Sequence, residues 1–300
     1  MNLQLICEIK YHKDQITHIL ILKDNRICTS SYDNSIIVYN SQTYTKDIII
    51  DEHDDWVSYL YQLYSDNIMS ASYDGTLKIF KINKKSYNIV NIINYKEDAI
   101  IKLIELKNEE IVFLTGNKKI CFYIYKEKTY KQNYIINDSI TYDDIIELNK
   151  YNFIVLSSNS NNLILIFNYI TKKTIKKLFF ESLIFSQQNL LNFNQFLIVF
   201  GFKLIYIIDI KQYKIIKTIK NDFSVTCSIK KDNESFIIGD NIGFLRVFNY
   251  NSKKQVIKEI KNIYVKNEMN SIEFNNKFNT ILINDKKNIS LKIYNLLINK

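Results

Sequence analysis

Residues 70–80 read SASYDGTLKIF, and residues 29–39 read TSSYDNSIIVY. In both, a small-residue strand enters a Tyr-Asp turn, and a second short apolar strand follows, ending in an aromatic. The element recurs along the chain. Its closing residue falls at Tyr39, Phe80, Tyr123, Phe167, Ile208, Phe248 and Tyr294, at intervals of 41, 43, 44, 41, 40 and 46 residues. Self-similarity at this period is the mark of a repeat architecture. Seven units occupy residues 1–300 as one domain. The first holds four β-rich runs, Ile16–Leu22, Arg26–Ser31, Ile36–Tyr39 and Lys46–Ile50, separated by polar turns. No sustained 3.6-residue periodicity competes with this reading.

A four-stranded unit cannot bury both of its faces alone. Radial stacking of such units does so and leaves only short edges. The expectation is therefore an all-β, seven-bladed propeller of four-stranded antiparallel blades. Only six residues follow Tyr294, too few for a further strand and its connection, whereas LQLICEI (Leu3–Ile9) opens the chain. That run is expected to supply the outer strand of the last blade. The apolar stretch FLIVFGFKLIYIIDI (Phe196–Ile210) is shorter than a bilayer span and contains Lys203. It reads as two buried strands joined at Gly201–Lys203, with no membrane insertion.

The repeat resembles the WD40-repeat β-propellers. In that family a His before the innermost strand, a Ser or Thr on the second strand, an Asp in the next turn and a Trp on the third strand form one hydrogen-bonded set. His12, Thr29, Asp33 and Tyr39 match it in the first unit, and His53, Ser70, Asp74 and Phe80 in the second; His to Asp is 21 residues in both. The pattern departs from the family where no unit ends in Trp-Asp. Phe80 has no donor, and units three to seven lack the complete set. In the sixth unit, GDNIGFLRVF, Ile242 stands where Asp74 stands in the second; Asn288 takes that place in the last. The resemblance also implies three partner-facing positions per blade. These are Gln15, Thr17 and Tyr32 in the first unit, and Trp56, Ser58 and Tyr73 in the second. Ala99 and Ile101 correspond in the third, and Ser224, Thr226 and Asn241 in the sixth. Trp56, Tyr32 and Tyr73 stand out, because aromatics bring large contact area at low entropic cost.

Composition is consistent with a core-forming chain: 47% hydrophobic, 14% aromatic, with no Pro and five Gly. The scarcity of Ala (Ala71, Ala99) and Arg (Arg26, Arg246) beside abundant Ile, Asn, Lys and Tyr fits AT-rich coding. The four cysteines, Cys7, Cys28, Cys121 and Cys227, are far apart and suit small core positions. With no leader-like N-terminus, an intracellular location, cytoplasmic or nuclear, is expected. No metal, cofactor or small-molecule substrate is implied. Catalytic motifs are missing from the sequence, and two of its three His belong to the structural sets. His18 is read as a core or channel-facing residue, and Glu52/Asp54/Asp55 and Asp143/Asp144 as solvated carboxylates. A non-catalytic scaffold that binds other proteins through loop faces is the expectation. The net charge of +9 supports a rival, an RNA-contacting subunit, but 38 of the 40 basic residues are Lys. They lie in short clusters such as Lys84/Lys85, Lys172/Lys173, Lys176/Lys177, Lys230/Lys231, Lys253/Lys254 and Lys286/Lys287, read as solvated turns.

Overall fold

A computed structural model describes residues 2–137, 139–149, 152–157, 162–181, 190–193, 196–251, 256–265, 269, 271–285 and 287–297. Lys253, Lys254 and Lys286 lie outside them. The described residues form 28 strands and no helix. None of them therefore makes a helix long and apolar enough to cross a membrane. The protein is an all-β propeller of four-stranded antiparallel blades, and the described strands group into seven such sheets.

Six sheets use four consecutive strands. In the first these are Ile16–Ile21, Ile27–Ser31, Ile36–Tyr39 and Lys46–Ile50, ordered from inner to outer. The seventh takes Ile272–Asn275, Thr280–Asp285 and Ser290–Leu297, and its fourth strand is Asn2–Ile9. That strand pairs antiparallel with Ser290–Leu297, Leu3 opposite Leu296 and Ile9 opposite Leu291. The stretch Phe196–Ile210 forms strands Phe196–Gly201 and Leu204–Asp209, as expected, turning at Phe202 and Lys203.

Burial explains the residue types of each strand. The second strands of the first three sheets, Ile27–Ser31, Ile68–Ser72 and Ile111–Thr115, are buried throughout. They lie between neighbouring sheets on both faces, and they combine large apolar residues such as Ile27 and Ile68 with small ones such as Ser30 and Ala71. Outer strands keep one wet face; along Val256–Tyr264 exposed and half-buried residues alternate strictly.

The core is divided among the sheet-to-sheet interfaces. One cluster sets Leu22, Cys28 and Val38 against Val57, Leu60 and Phe80. Another sets Ile164 and Ile166 against Leu197, Val199 and Tyr206. A further cluster joins Leu282, Leu291 and Ile293 of the seventh sheet to Ile16, Ile19 and Tyr39 of the first. Cys28, Cys121 and Cys227 are buried within such clusters and none of the four cysteines is in a disulfide.

Polar bonds repeat at the inner edge of these interfaces. The innermost strands of the first two sheets carry a β-bulge at their second residue, at Thr17 and Ser58. A bulge re-aims its side chain. Here Thr17 Oγ1 donates to the Val57 carbonyl at 2.6 Å, and Ser58 Oγ donates to the Ile100 carbonyl at 2.6 Å. Asn284 Nδ2 donates to the Ile16 carbonyl, also at 2.6 Å, from the seventh sheet to the first. Replacing Thr17 with Val, or Ser58 with Ala, takes this donor from the carbonyl of buried Val57 or Ile100. Each change is expected to cost about 1–2 kcal/mol in chemical denaturation.

Candidate functional site

Two turn networks have the geometry that their spacing suggested. His12 Nδ1 lies 2.9 Å from Asp33 Oδ2, and His12 Nε2 lies 2.7 Å from Thr29 Oγ1. The Tyr39 hydroxyl continues this chain, 3.3 Å from Thr29 Oγ1. In the second sheet His53 stands 2.7 Å from Asp74 and 2.6 Å from Ser70. In the neutral imidazole the carboxylate places the proton on Nδ1, leaving Nε2 to accept from the hydroxyl. Phe80 ends the second chain, packing edge-on to Tyr87 at 5.9 Å. Burial alone would raise the Asp33 and Asp74 carboxyls. Hydrogen bonds from the partner His and from Ser35 or Thr76 outweigh it and hold both well below the usual range.

The sixth and seventh sheets solve the same turn differently, and the sequence reading missed this. The acceptor sits earlier, at the strand end, two residues before Ile242 in the sixth sheet and three before Asn288 in the seventh. Asp240 Oδ1 accepts the amides of Ile242 and Phe244, and Asp285 Oδ1 accepts those of Lys287 and Asn288. A cation on the next strand replaces the imidazole: Arg246 Nε meets Asp240 at 2.7 Å, and Lys292 meets Asp285 at 2.7 Å. Asn288 is thus a donor to Asp285 (2.7 Å) and does not itself supply the acceptor. The available signal was an Asp at the second strand's end with Arg or Lys six or seven residues on.

The partner-facing positions separate into two groups. Thr17 and Ser58 are half-buried and bonded to the neighbouring sheet, as above. Gln15 accepts the Tyr32 amide through its backbone carbonyl, and Trp56 accepts the Tyr73 amide in the same way. These equivalent bonds fix both turns over the starts of the inner strands. They bring three rings together: Tyr32 and Trp56 centroids are 4.4 Å apart, and Trp56 and Tyr73 5.3 Å. The cluster spans two sheets and stays accessible, with Trp56 41% and Tyr73 37% exposed. Of the other equivalent positions, Ala99 and Ser224 repeat the backbone bond, to Gly116 and Asn241; Ile101 and Thr226 occupy the bulge.

A cavity of about 590 Å³ runs between the inner strands, lined by His18, Tyr59, Lys102, Asp144, Lys230 and Glu273 among others. Asp144, read from sequence as solvated, is instead buried and ion-paired with buried Lys102. Its strand faces the channel, where an unpaired lysine would be costly. His18 faces the channel, as one of its two expected places. Its ring lies 4.0 Å from Tyr59, and burial, with Lys102 nearby, lowers its pKa to about 3. Glu273 is raised to about 8 by desolvation. Among the described residues no group of three or more His, Cys, Asp or Glu is placed to hold a metal ion. Several lysines are likewise not simply solvated. Lys172 covers Phe122 at 4.2 Å and reaches Glu110, while Lys230 covers Phe193 at 4.9 Å.

Two pH responses follow. Asp33 and Asp74 release protons on folding, so their contribution is complete above the unfolded value near 3.8 and is lost as pH falls below it. Asp33→Asn with Asp74→Asn is expected to flatten this acid limb and to lower stability at pH 7 by about 1–3 kcal/mol per site. Glu273 has the opposite sign. The folded chain retains a proton that the unfolded chain releases above 4.5, so stability falls as pH rises from there to about 8. Glu273→Gln is expected to gain stability over wild type progressively across that window, read by urea midpoints at pH 4.5 and pH 8. The sequence matches no protein-family model and no curated protein.

Proposed function

We propose that the chain is a seven-bladed WD40-type propeller, latched by its N-terminal strand, that serves inside the cell, in cytoplasm or nucleus, as a non-catalytic scaffold for other proteins. The observation that carries the reading is the Tyr32–Trp56–Tyr73 cluster. It is an exposed aromatic surface built on rigid turns of two adjacent sheets, where loops on a stable frame commonly recognise partners. The His–Asp turn networks of the first two sheets support the WD40 likeness, and the pairing of Asn2–Ile9 with Ser290–Leu297 supports the latch. In the channel Lys102 and Asp144 are engaged with each other, which favours a structural role for that pair.

A second reading, an RNA-binding subunit, draws on one observation. The outer strands Lys173–Phe179, Lys214–Lys220 and Val256–Tyr264 belong to three successive sheets. Together they carry Lys173, Lys176, Lys177, Lys214, Lys217, Lys220, Lys258 and Lys261 against a single acid, Glu259. These eight lysines share one sector of the rim, and three of them, Lys173, Lys176 and Lys177, stand on a strand where a solvated turn was expected. A phosphate backbone is attracted to such a surface.

Affinity capture with the Tyr32→Ala, Trp56→Ala, Tyr73→Ala triple variant tests the two readings. The variant is expected to fold, with its thermal midpoint within a few degrees of wild type, and to lose the proteins that wild type retains. An unchanged set of retained proteins would remove the docking role. Retained RNA that disappears on Lys214→Glu with Lys217→Glu would favour the second reading.

A further inference from the structure

The docking surface has a chemical character opposite to that of the whole chain. Each of the first three inner strands is preceded by an aspartate at the equivalent place: Asp14 before Gln15, Asp55 before Trp56, Asp98 before Ala99. In the first two, one carboxylate oxygen accepts the following amide, Gln15 at 2.6 Å and Trp56 at 2.7 Å. Ser31 and Ser72 hydroxyls hold the backbone carbonyls of the same aspartates at 2.9 and 3.0 Å. The carboxylates are therefore fixed in orientation, not loosely displayed. Asp98 leans on the Gly116 backbone, and its Oδ2 is shielded from solvent without a hydrogen-bond partner.

Charge in these turns is unbalanced. Residues 13–15, 54–56 and 96–99 hold five carboxylates (Asp14, Asp54, Asp55, Glu97, Asp98) and two lysines (Lys13, Lys96). Only Glu97 has an ion pair among the described residues, with Lys119 at 2.5 Å. The carboxylates are close enough to act on the aromatic cluster. Besides burial, the larger influence, Asp14 raises the Tyr32 phenol, and Asp55 and Asp98 contribute to raising that of Tyr73. Electron-rich ring faces beside unpaired carboxylates suit one kind of group, a cation on a methylene stem. The stem packs on the rings while the charge meets both π-faces and carboxylates. An acidic or phosphorylated segment would instead face like charge here, although the net +9 of the chain would attract it elsewhere.

Resting on the docking reading above, we propose that the Tyr32–Trp56–Tyr73 surface and the Asp14, Asp55 and Asp98 carboxylates receive a lysine or arginine side chain of a partner protein. Gln15 and Asn34 border the same surface. Asn34 Nδ2 bonds the Asp54 carbonyl at 3.2 Å, tying the turn of the first sheet to that of the second. The two halves of the receiving surface are thereby held in register.

Trp56 is the only tryptophan in the chain, so its emission reports on this surface alone. The probes are five twelve-residue peptides of one neutral sequence, differing at a central position: Lys, Arg, trimethyl-lysine, norleucine or Glu. The cationic peptides are expected to change Trp56 emission saturably, with the norleucine and Glu peptides roughly tenfold weaker or more. Added salt is expected to reduce that preference. In Asp14→Asn, Asp55→Asn, Asp98→Asn protein, which keeps the shape and backbone acceptors, the cationic advantage is expected to vanish while the norleucine peptide binds as before. Among the cationic peptides, a trimethyl-lysine preference would assign the rings as the dominant contact, and a Lys or Arg preference the carboxylates; both support the proposal. Norleucine or Glu peptides binding as tightly as the cationic ones would overturn it and leave the docking surface intact. Silence of Trp56 toward every peptide, together with unchanged capture by the aromatic variant, would remove both.

Discussion

Burial of the second strand on both of its faces is the constraint on which the architecture depends. Residues 27–31, 68–72 and 111–115 have no solvent-facing side, so no sheet holding such a strand is stable by itself. Each sheet must lean on the next, and the apolar clusters lie between sheets instead of within them. The inner-edge bonds from Thr17, Ser58 and Asn284 add direction to what is otherwise non-directional packing. They set how neighbouring inner strands are aligned, and hence where the turns above those strands come to rest.

The turns show that one mechanical requirement admits two chemical solutions. A tight connection between the second and third strands leaves backbone amides that need an acceptor. In the first two sheets Asp33 and Asp74 provide it from within the turn and are steadied by an imidazole. In the sixth and seventh, Asp240 and Asp285 provide it from the strand end and are steadied by Arg246 or Lys292. In both arrangements the residue of the turn that bonds the inner strand lies over its start, Tyr32 and Tyr73 in the first two sheets and Asn241 in the sixth. The aromatic surface forms where that residue is a tyrosine beside Trp56.

Electrostatic character is divided by location. The channel contains a buried Lys102–Asp144 pair and a carboxyl, Glu273, that tends to keep its proton. The turns of the first three sheets are rich in unpaired carboxylates, and the outer strands of the fourth to sixth are rich in lysine. A single net charge conceals these opposed regions, so the +9 total is a poor guide to any one partner.

The repeat, its period and the strand order were legible in sequence, because turn residues and strand alternation are local properties that recur in every unit. The His–Asp pairs were legible for the same reason; their 21-residue spacing follows from strand and turn lengths alone. Three things were decided only by the tertiary structure. Thr17 and Ser58 became links between sheets because a bulge turned their hydroxyls toward the neighbour. Asp144 became a buried ion because its strand faces the channel beside that of Lys102, 42 residues away. Tyr32, Trp56 and Tyr73 became one surface because two turns from different units were packed side by side. Each depends on the angle and register between sheets, which arise from interfaces among distant residues and leave no periodic trace along the chain.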